Sequence, residues 1–177
     1  EPSPGQRIEI RTVRPVNISE RLPVVMYFHG GGWVLNNKHA HDRLIKEIAI
    51  GSRCVVVFVE YSRSPEAKYP VAIEEAYAAT KWVAENSNLI NADGSRIAVA
   101  GDSSGGNMAT VVTLMAKERG APHICLQVLF SPVLDARLDT ASYKDFSHGY
   151  FLTRKHMKWY WDQYAPDKSI RSQITVS

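Results

Sequence analysis

Two glycine-flanked clusters in this chain have the residue types and spacing for acyl-transfer chemistry. The first is Gly101-Asp102-Ser103-Ser104-Gly105. A serine with a glycine two residues to either side matches a nucleophile elbow, where a strand turns so sharply into a helix that only hydrogen fits at the flanks. The surroundings agree. The apolar run Ile97-Ala98-Val99-Ala100 leads in, and Met108, Val111, Val112 and Met115 follow at i, i+3, i+4, i+7, one face of a helix. Such a turn lifts the Ser103 hydroxyl out of the sheet at a helix N-terminus. For the motif taken alone, an ordinary glycine-rich turn or a phosphate-binding loop is the competing reading.

The second cluster, His29-Gly30-Gly31-Gly32-Trp33, directly follows the apolar run Val24-Val25-Met26-Tyr27-Phe28. Three successive glycines exceed what a turn requires. They suit a loop whose bare N–H groups must crowd round an anion. Acyl transfer from an ester passes through a tetrahedral oxyanion, and each donor aimed at that charge contributes about 3 kcal/mol. A loop of this HGGG type supplies part of the oxyanion hole opposite G-x-S-x-G. The expected roles are Ser103 as nucleophile and the backbone N–H groups of Gly31, Gly32 and Ser104 as oxyanion hole.

Ser103 also needs a histidine base oriented by a carboxylate. The chain has six histidines. His29 belongs to the oxyanion loop. His39 and His41 raise the idea of a metal site, but no third ligand stands at metal spacing. His123 precedes a strand at the opposite end of the sheet, and His156 falls on the solvated side of a helix. His148, with Asp145 three residues before it, is the alternative base. Asp102 adjoins the nucleophile, but its side chain is expected to point away from the reaction and bond the elbow's surroundings.

The elements that must position these residues alternate between strand and helix. Residues 8–13 alternate apolar and polar as an outer strand, and residues 24–28 and 54–59 are continuous apolar runs, as in strands buried on both faces. Residues 41–50 read as a helix with Leu44, Ile45, Ile48 and Ala49 on one face. Pro70 opens a second helix to about Glu85, with Ala72, Ala76, Ala79 and Val83 on one side. A polar loop spans 86–95. The elbow helix runs to Arg119, and a last strand covers Ile124 to Phe130. This alternation predicts a parallel sheet with helices on both faces. The last strand is apolar on both faces, so it is expected in the interior of a sheet with further strands beyond it. Residues 135–152 are loop-like. Thr153 then N-caps a helix carrying Met157, Tyr160, Trp161 and Tyr164.

Composition excludes several function classes. The 177 residues suit one domain, and the net charge of +3 comes without a basic run, so neither nucleic acid nor an anionic membrane is implied as partner. No apolar stretch approaches a membrane span. Cys54 and Cys125 lie in apolar strand-like runs and read as buried core thiols rather than a disulfide, metal site or nucleophile. Asn17-Ile18-Ser19 reads as a polar loop. No cofactor or metal is called for. With no leader-like segment, a cytoplasmic location is the expectation, but the sequence assigns no compartment.

The chain resembles the hormone-sensitive-lipase family of α/β-hydrolases, carboxylesterases that carry HGGG and GDSAGG. Three stretches bear the resemblance. They are His29 to Val34; Glu60-Tyr61-Ser62-Arg63-Ser64-Pro65-Glu66 with Tyr69-Pro70, similar to the family's DYRLAPE…FP; and Gly101 to Asn107. Ser131 to Asp135 resembles the strand end after the nucleophile helix. Ser104 stands where alanine is usual, Ser62 where arginine is usual and Glu60 where aspartate is usual. The resemblance implies an α/β-hydrolase core whose N-terminal part is residues 1–135, with a cap-like segment at 136–177. It makes His29 and Asp135 structural positions. It also implies that the triad Asp and His lie roughly 90 to 130 residues after the nucleophile, in a complementary C-terminal segment outside this chain. The implied function is a serine carboxylesterase acting on short-to-medium acyl esters through an acyl-enzyme. The alternatives are a small-molecule-binding receptor on the same fold, as plant gibberellin receptors are, and an amidase or deacetylase.

Overall fold

The computed structural model describes residues 7–177. Five strands, β1 (Glu9–Val13), β2 (Leu22–Phe28), β3 (Val55–Glu60), β4 (Ala92–Asp102) and β5 (Ile124–Phe130), form one sheet in the order β1-β3-β2-β4-β5. All neighbouring pairs are parallel except β1 with β3, so the expected parallel sheet carries one antiparallel edge strand. Helices cover both faces. On one side lie α2 (Val71–Asn86) and α3 (Ser104–Arg119), on the other α1 (Asp42–Ser52).

Period-two alternation divides the strands between two cores. Val24, Met26 and Phe28 of β2, Val55, Val57 and Val59 of β3, and Ile97 and Val99 of β4 pack with Ala72, Ala76 and Val83 of α2 and Met108, Val112 and Met115 of α3. Val25, Tyr27, Val56 and Phe58 meet Ile45 and Ala49 of α1. Two buried faces explain why the central strands read as unbroken apolar runs. The helical face expected at 44–49 is narrower than its pattern suggests. Leu44 is 39% exposed, because one helix lying over β2 and β3 touches them along a thin strip. The expected loop at 86–95 is also revised. A single 3-10 turn spans Ser87–Ile90, and β4 begins at Ala92, opposite Leu22. The ladder slips between Pro23 and Val24, which leaves Asp93 free to accept from the backbone and hydroxyl of Ser95.

β5 is the edge of this sheet. Its Leu126 and Phe130 are 56% and 43% exposed. The sheet face on the α1 side is open along β5. An open hollow of about 680 Å³ there is lined by Val25, Ile48, Ala98, Leu126 and Phe130 among others. Both cysteines border the same hollow, which corrects their reading as buried core thiols. Cys125 is exposed and Cys54 only half-buried, because no helix covers this part of the sheet.

After β5 the chain forms a short helix, α4 (Ala141–Asp145), within the stretch read as loop, then α5 (Arg154–Tyr164). Thr153 caps α5 as expected by accepting from the His156 N–H. His156 is exposed yet not idle, since its ring accepts from the Thr153 N–H and closes a capping box. Met157, Trp161 and Tyr164 form the buried face of α5. Among the described residues no helix is long and apolar enough to cross a membrane.

Candidate active site

β4 ends at Asp102 and α3 begins at Ser104, so Ser103 alone makes the turn between them. Its backbone is left-handed, φ 54°, a conformation costly for a residue with a side chain and found where the surroundings over-determine it. Those surroundings are visible. The Ser103 N–H donates to the Phe130 carbonyl (2.9 Å), and its own carbonyl accepts from Asn107 (3.2 Å) and Val133 (3.1 Å). The flanking glycines are steric necessities. A Cβ on Gly105 would collide with the Phe28 carbonyl, and one on Gly101 with the Gly105 carbonyl. The Ser103 side chain is left half-buried at the N-terminus of α3, with no hydrogen-bond partner among the described residues.

The oxyanion loop faces this turn. Gly31, Gly32 and Trp33 take φ values of 120°, 61° and 60° in succession. Glycine tolerates this freely, whereas Trp33 has to be held there. Its buried indole stacks on Tyr164 (centroids 4.2 Å apart, planes 2°) and tilts against Trp161 (4.7 Å). Its carbonyl accepts from the Ser64 N–H (2.9 Å), and its N–H donates to the Ser104 hydroxyl (3.2 Å). α5 is thereby fastened to the end of the loop, and Tyr160 stands over Gly32 so closely that a Cβ there would strike its ring. The N–H groups of Gly31, Gly32 and Ser104 donate to no protein acceptor among the described residues.

Ser104, where alanine is usual, does more than offer a backbone donor. Its hydroxyl accepts from the Trp33 N–H (3.2 Å), and nearby the Tyr61 hydroxyl donates to the His29 carbonyl (2.8 Å). Burial pushes the Tyr61 hydroxyl well above its ordinary range, so it stays a donor. Ser62, where arginine is usual, donates through its N–H (2.6 Å) and hydroxyl (2.7 Å) to the buried carboxylate of Glu75.

Asp102 points away from the Ser103 hydroxyl. One of its oxygens, Oδ1, accepts from the Tyr27 hydroxyl (2.8 Å), the Gly30 N–H (2.9 Å) and His41 Nε2 (3.2 Å). Burial pulls this carboxyl upward, but the hydrogen bonds from His41, Tyr27 and Gly30 outweigh it and hold it below the usual carboxylate range. His41 is the residue that sequence reasoning missed. Paired with His39 it suggested a ligand set, but His39 is exposed while His41 is buried against Asp102. Nothing in a spacing of 61 residues could signal that contact.

The other candidates fall away from Ser103. His29 is a buried ring stacked on Tyr61 (4.3 Å) and Phe58 (5.4 Å), with Nδ1 2.8 Å from the Gly30 carbonyl. Burial lowers its pKa to about 4, so it is neutral near pH 7. His148 is exposed and bonds its neighbour Ser147 (2.9 Å). Asp135 is held by a forked ion pair with Arg137. No histidine hydrogen-bonds Ser103 among the described residues. The arrangement therefore presents a hydroxyl at a helix N-terminus and three free N–H groups beside it, the parts needed to attack a carbonyl and hold the resulting oxyanion.

A family model described as alpha/beta hydrolase fold matches residues 25–177. The chain belongs to this family. Within it, the chain is of the hormone-sensitive-lipase type that its motifs resemble. It is 37% identical over 163 residues to the carboxylesterase NlhH of Mycobacterium tuberculosis, covering 92% of this chain and 51% of that protein. It is 35% identical over 162 residues to the gibberellin receptor GID1A of Arabidopsis thaliana, covering 89% of this chain and 46% of the receptor. Among solved structures, a thermostable esterase from Pseudomonas putida ECU1011 superposes with a TM-score of 0.96 at 54% identity, over 98% of this chain and 54% of that one. The chain thus spans about half the length of the curated relatives it matches.

Proposed function

We propose that this chain carries the nucleophile and the oxyanion hole of a serine carboxylesterase. Ser103 attacks the ester carbonyl, and the N–H groups of Gly31, Gly32 and Ser104 hold the tetrahedral oxyanion. The alcohol leaves, and water hydrolyses the acyl-enzyme. The observation that carries this reading is the meeting, at one place, of a strained serine at a helix N-terminus and three backbone donors without protein acceptors. Relatives named as carboxylesterases support it, and short-to-medium acyl esters are the substrate class we assign.

The base and its carboxylate belong, in this proposal, to a complementary C-terminal segment. The open face of β5 supports this, since an exposed apolar edge strand is a template for pairing. That segment would add strands beside β5, cover the hollow at Leu126 and Phe130, and bring the histidine to Ser103. Residues 1–135 act as the N-terminal part of the core and 136–177 as a cap-like segment, fastened through Trp161 and Tyr164 to Trp33.

The test uses the full-length protein. It should hydrolyse p-nitrophenyl acetate and butyrate, and a phosphonate should label Ser103. Ser103→Ala should lower turnover by about six orders of magnitude, the size seen when a triad serine is removed. Hydrolysis that survives Ser103→Ala, or labelling at Ser104, would refute the assignment. The likeness to GID1A keeps a second reading in view. Tight binding of a small apolar acid, with no turnover of esters or anilides, would favour a receptor. Faster turnover of anilides than of esters would favour an amidase.

A further inference from the structure

The nucleophile turn and the oxyanion loop are separate in sequence, yet one atom joins them. Oδ1 of Asp102, the residue before Ser103, accepts the N–H of Gly30, the residue before Gly31. The position of that atom therefore sets where the oxyanion donors stand relative to the serine hydroxyl. Two side chains hold it in place. Tyr27, on β2, donates from one direction at 2.8 Å, and His41, just before α1, approaches at 3.2 Å. His41 is 8% exposed. Among the described residues its Nδ1 meets no protein partner, and the one polar contact of the ring is the carboxylate. A carboxylate only accepts, which places a proton on Nε2. The ring is wedged among Tyr27 (6.0 Å), His29 (5.7 Å) and Phe58 (5.9 Å), which leaves it little freedom to turn away.

We propose that His41 is a positioning residue for ester hydrolysis, acting through Asp102 to keep the oxyanion loop in register with Ser103. The inference rests on the esterase reading above. His41 touches neither substrate nor reacting atoms. Its removal would let the Asp102 carboxylate swing, and the Gly30 peptide with it. The donors at Gly31 and Gly32 would then miss a charge that exists only in the transition state. The loss should appear in kcat rather than KM.

In the full-length protein, His41→Leu and Tyr27→Phe should each lower kcat for p-nitrophenyl acetate about ten- to a hundred-fold, the scale of a misplacement near 1 Å, with KM nearly unchanged. His41→Gln, whose Nε2–H reaches as far, should recover most of that kcat. Urea midpoints for each variant separate positioning from loss of fold. Unchanged kcat in His41→Leu overturns the proposal, as does a loss expressed in KM. An equal loss in His41→Gln and His41→Leu, with both midpoints lowered, assigns His41 to packing and overturns it too. Should His41→Leu fail to fold, His41→Phe, which keeps the ring's packing and removes its polar atoms, decides by the same kcat criterion. The wild type distinguishes this failure from a wrong function. No hydrolysis and no phosphonate label at Ser103 would sink the esterase reading and this proposal together, whereas an active wild type with fully active variants sinks only the role of His41.

Discussion

The two sides of β4 differ sharply. Towards β2 and β3, strands are covered on both faces, and residues such as Met26, Tyr27, Phe28 and Val57 are fully buried. Towards β5, cover is thin: no β5 residue is fully buried, and Cys125, Leu126 and Phe130 are exposed. The elbow sits on the boundary between them. Its approach to the oxyanion loop lies on the covered side, clamped by Asp102, Ser104 and Trp33. Its other flank rests on the end of β5 and the residues just after it, through Phe130 and Val133. Half of the proposed site is thus closely bonded within this chain, and the half facing β5 is where the proposed complementary segment would act. In the proposal, attack and oxyanion binding use the covered half, and proton transfer is assigned to the open one.

The largest effect we expect on the covered side comes from Gly32→Val. Its left-handed backbone and the Tyr160 ring leave no place for a β-branched side chain. The loop should shift and kcat of the full-length enzyme fall by about 10²- to 10³-fold, as for loss of one oxyanion donor. A raised KM at unchanged kcat would show that the loop merely binds substrate.

On the open side, Leu126→Lys separates two states of the same strand. If a complementary segment covers β5, the variant should destabilise the full-length protein by about 2 kcal/mol, the worth of one buried leucine. In residues 1–177 alone, which we expect to be inactive and prone to associate, the same change should reduce association, measurable by sedimentation. No change in either species would leave β5 an ordinary exposed edge.

Ser104→Ala is a smaller perturbation of the covered side. It deletes the bond to Trp33 while keeping the backbone donor. A single hydrogen bond of this kind is worth about 1 kcal/mol, so we expect roughly a fivefold loss of kcat or a matching loss of stability, read from kinetics and urea titration. A variant equal to the wild type in both would show the bond to Trp33 to be dispensable.

The mildest test is pH. His29 has a folded-state pKa near 4 against an ordinary 6.5, because burial disfavours its charge. Within that window the unfolded chain binds the extra proton, so stability is full above about 6.5 and falls as acid approaches 4. His29→Asn should flatten the decline of the urea midpoint between pH 7 and pH 5. An equally steep decline in the variant would place the acid sensitivity elsewhere.

Much of the fold was legible because its signals are local. Gly101 and Gly105 mark a turn that tolerates no Cβ, and the runs at 24–28 and 55–59 are unbroken because both faces are covered. α5 was legible from Thr153 and the spacing of Met157, Trp161 and Tyr164. The misreadings occur where burial depends on a distant neighbour. Cys125 and Leu126 have the composition of an interior strand, but only the presence or absence of an adjoining strand decides their exposure. Leu44 fits the helical stripe of α1, but the width of the strip it packs on belongs to the sheet.

The amino-acid order alone determined the strand–helix alternation, the strained serine between its glycines and the run of bare donors at Gly31 and Gly32. Each is set by sterics, periodicity or capping within a few residues of itself. The tertiary structure decided what those residues touch. It brought Gly30 and His41 to one oxygen of Asp102, placed Tyr160 over Gly32, stacked Trp33 on Tyr164 and left β5 bare. Such contacts join residues tens of positions apart, and directional hydrogen bonds and close packing form only once the sheet order has brought those residues together.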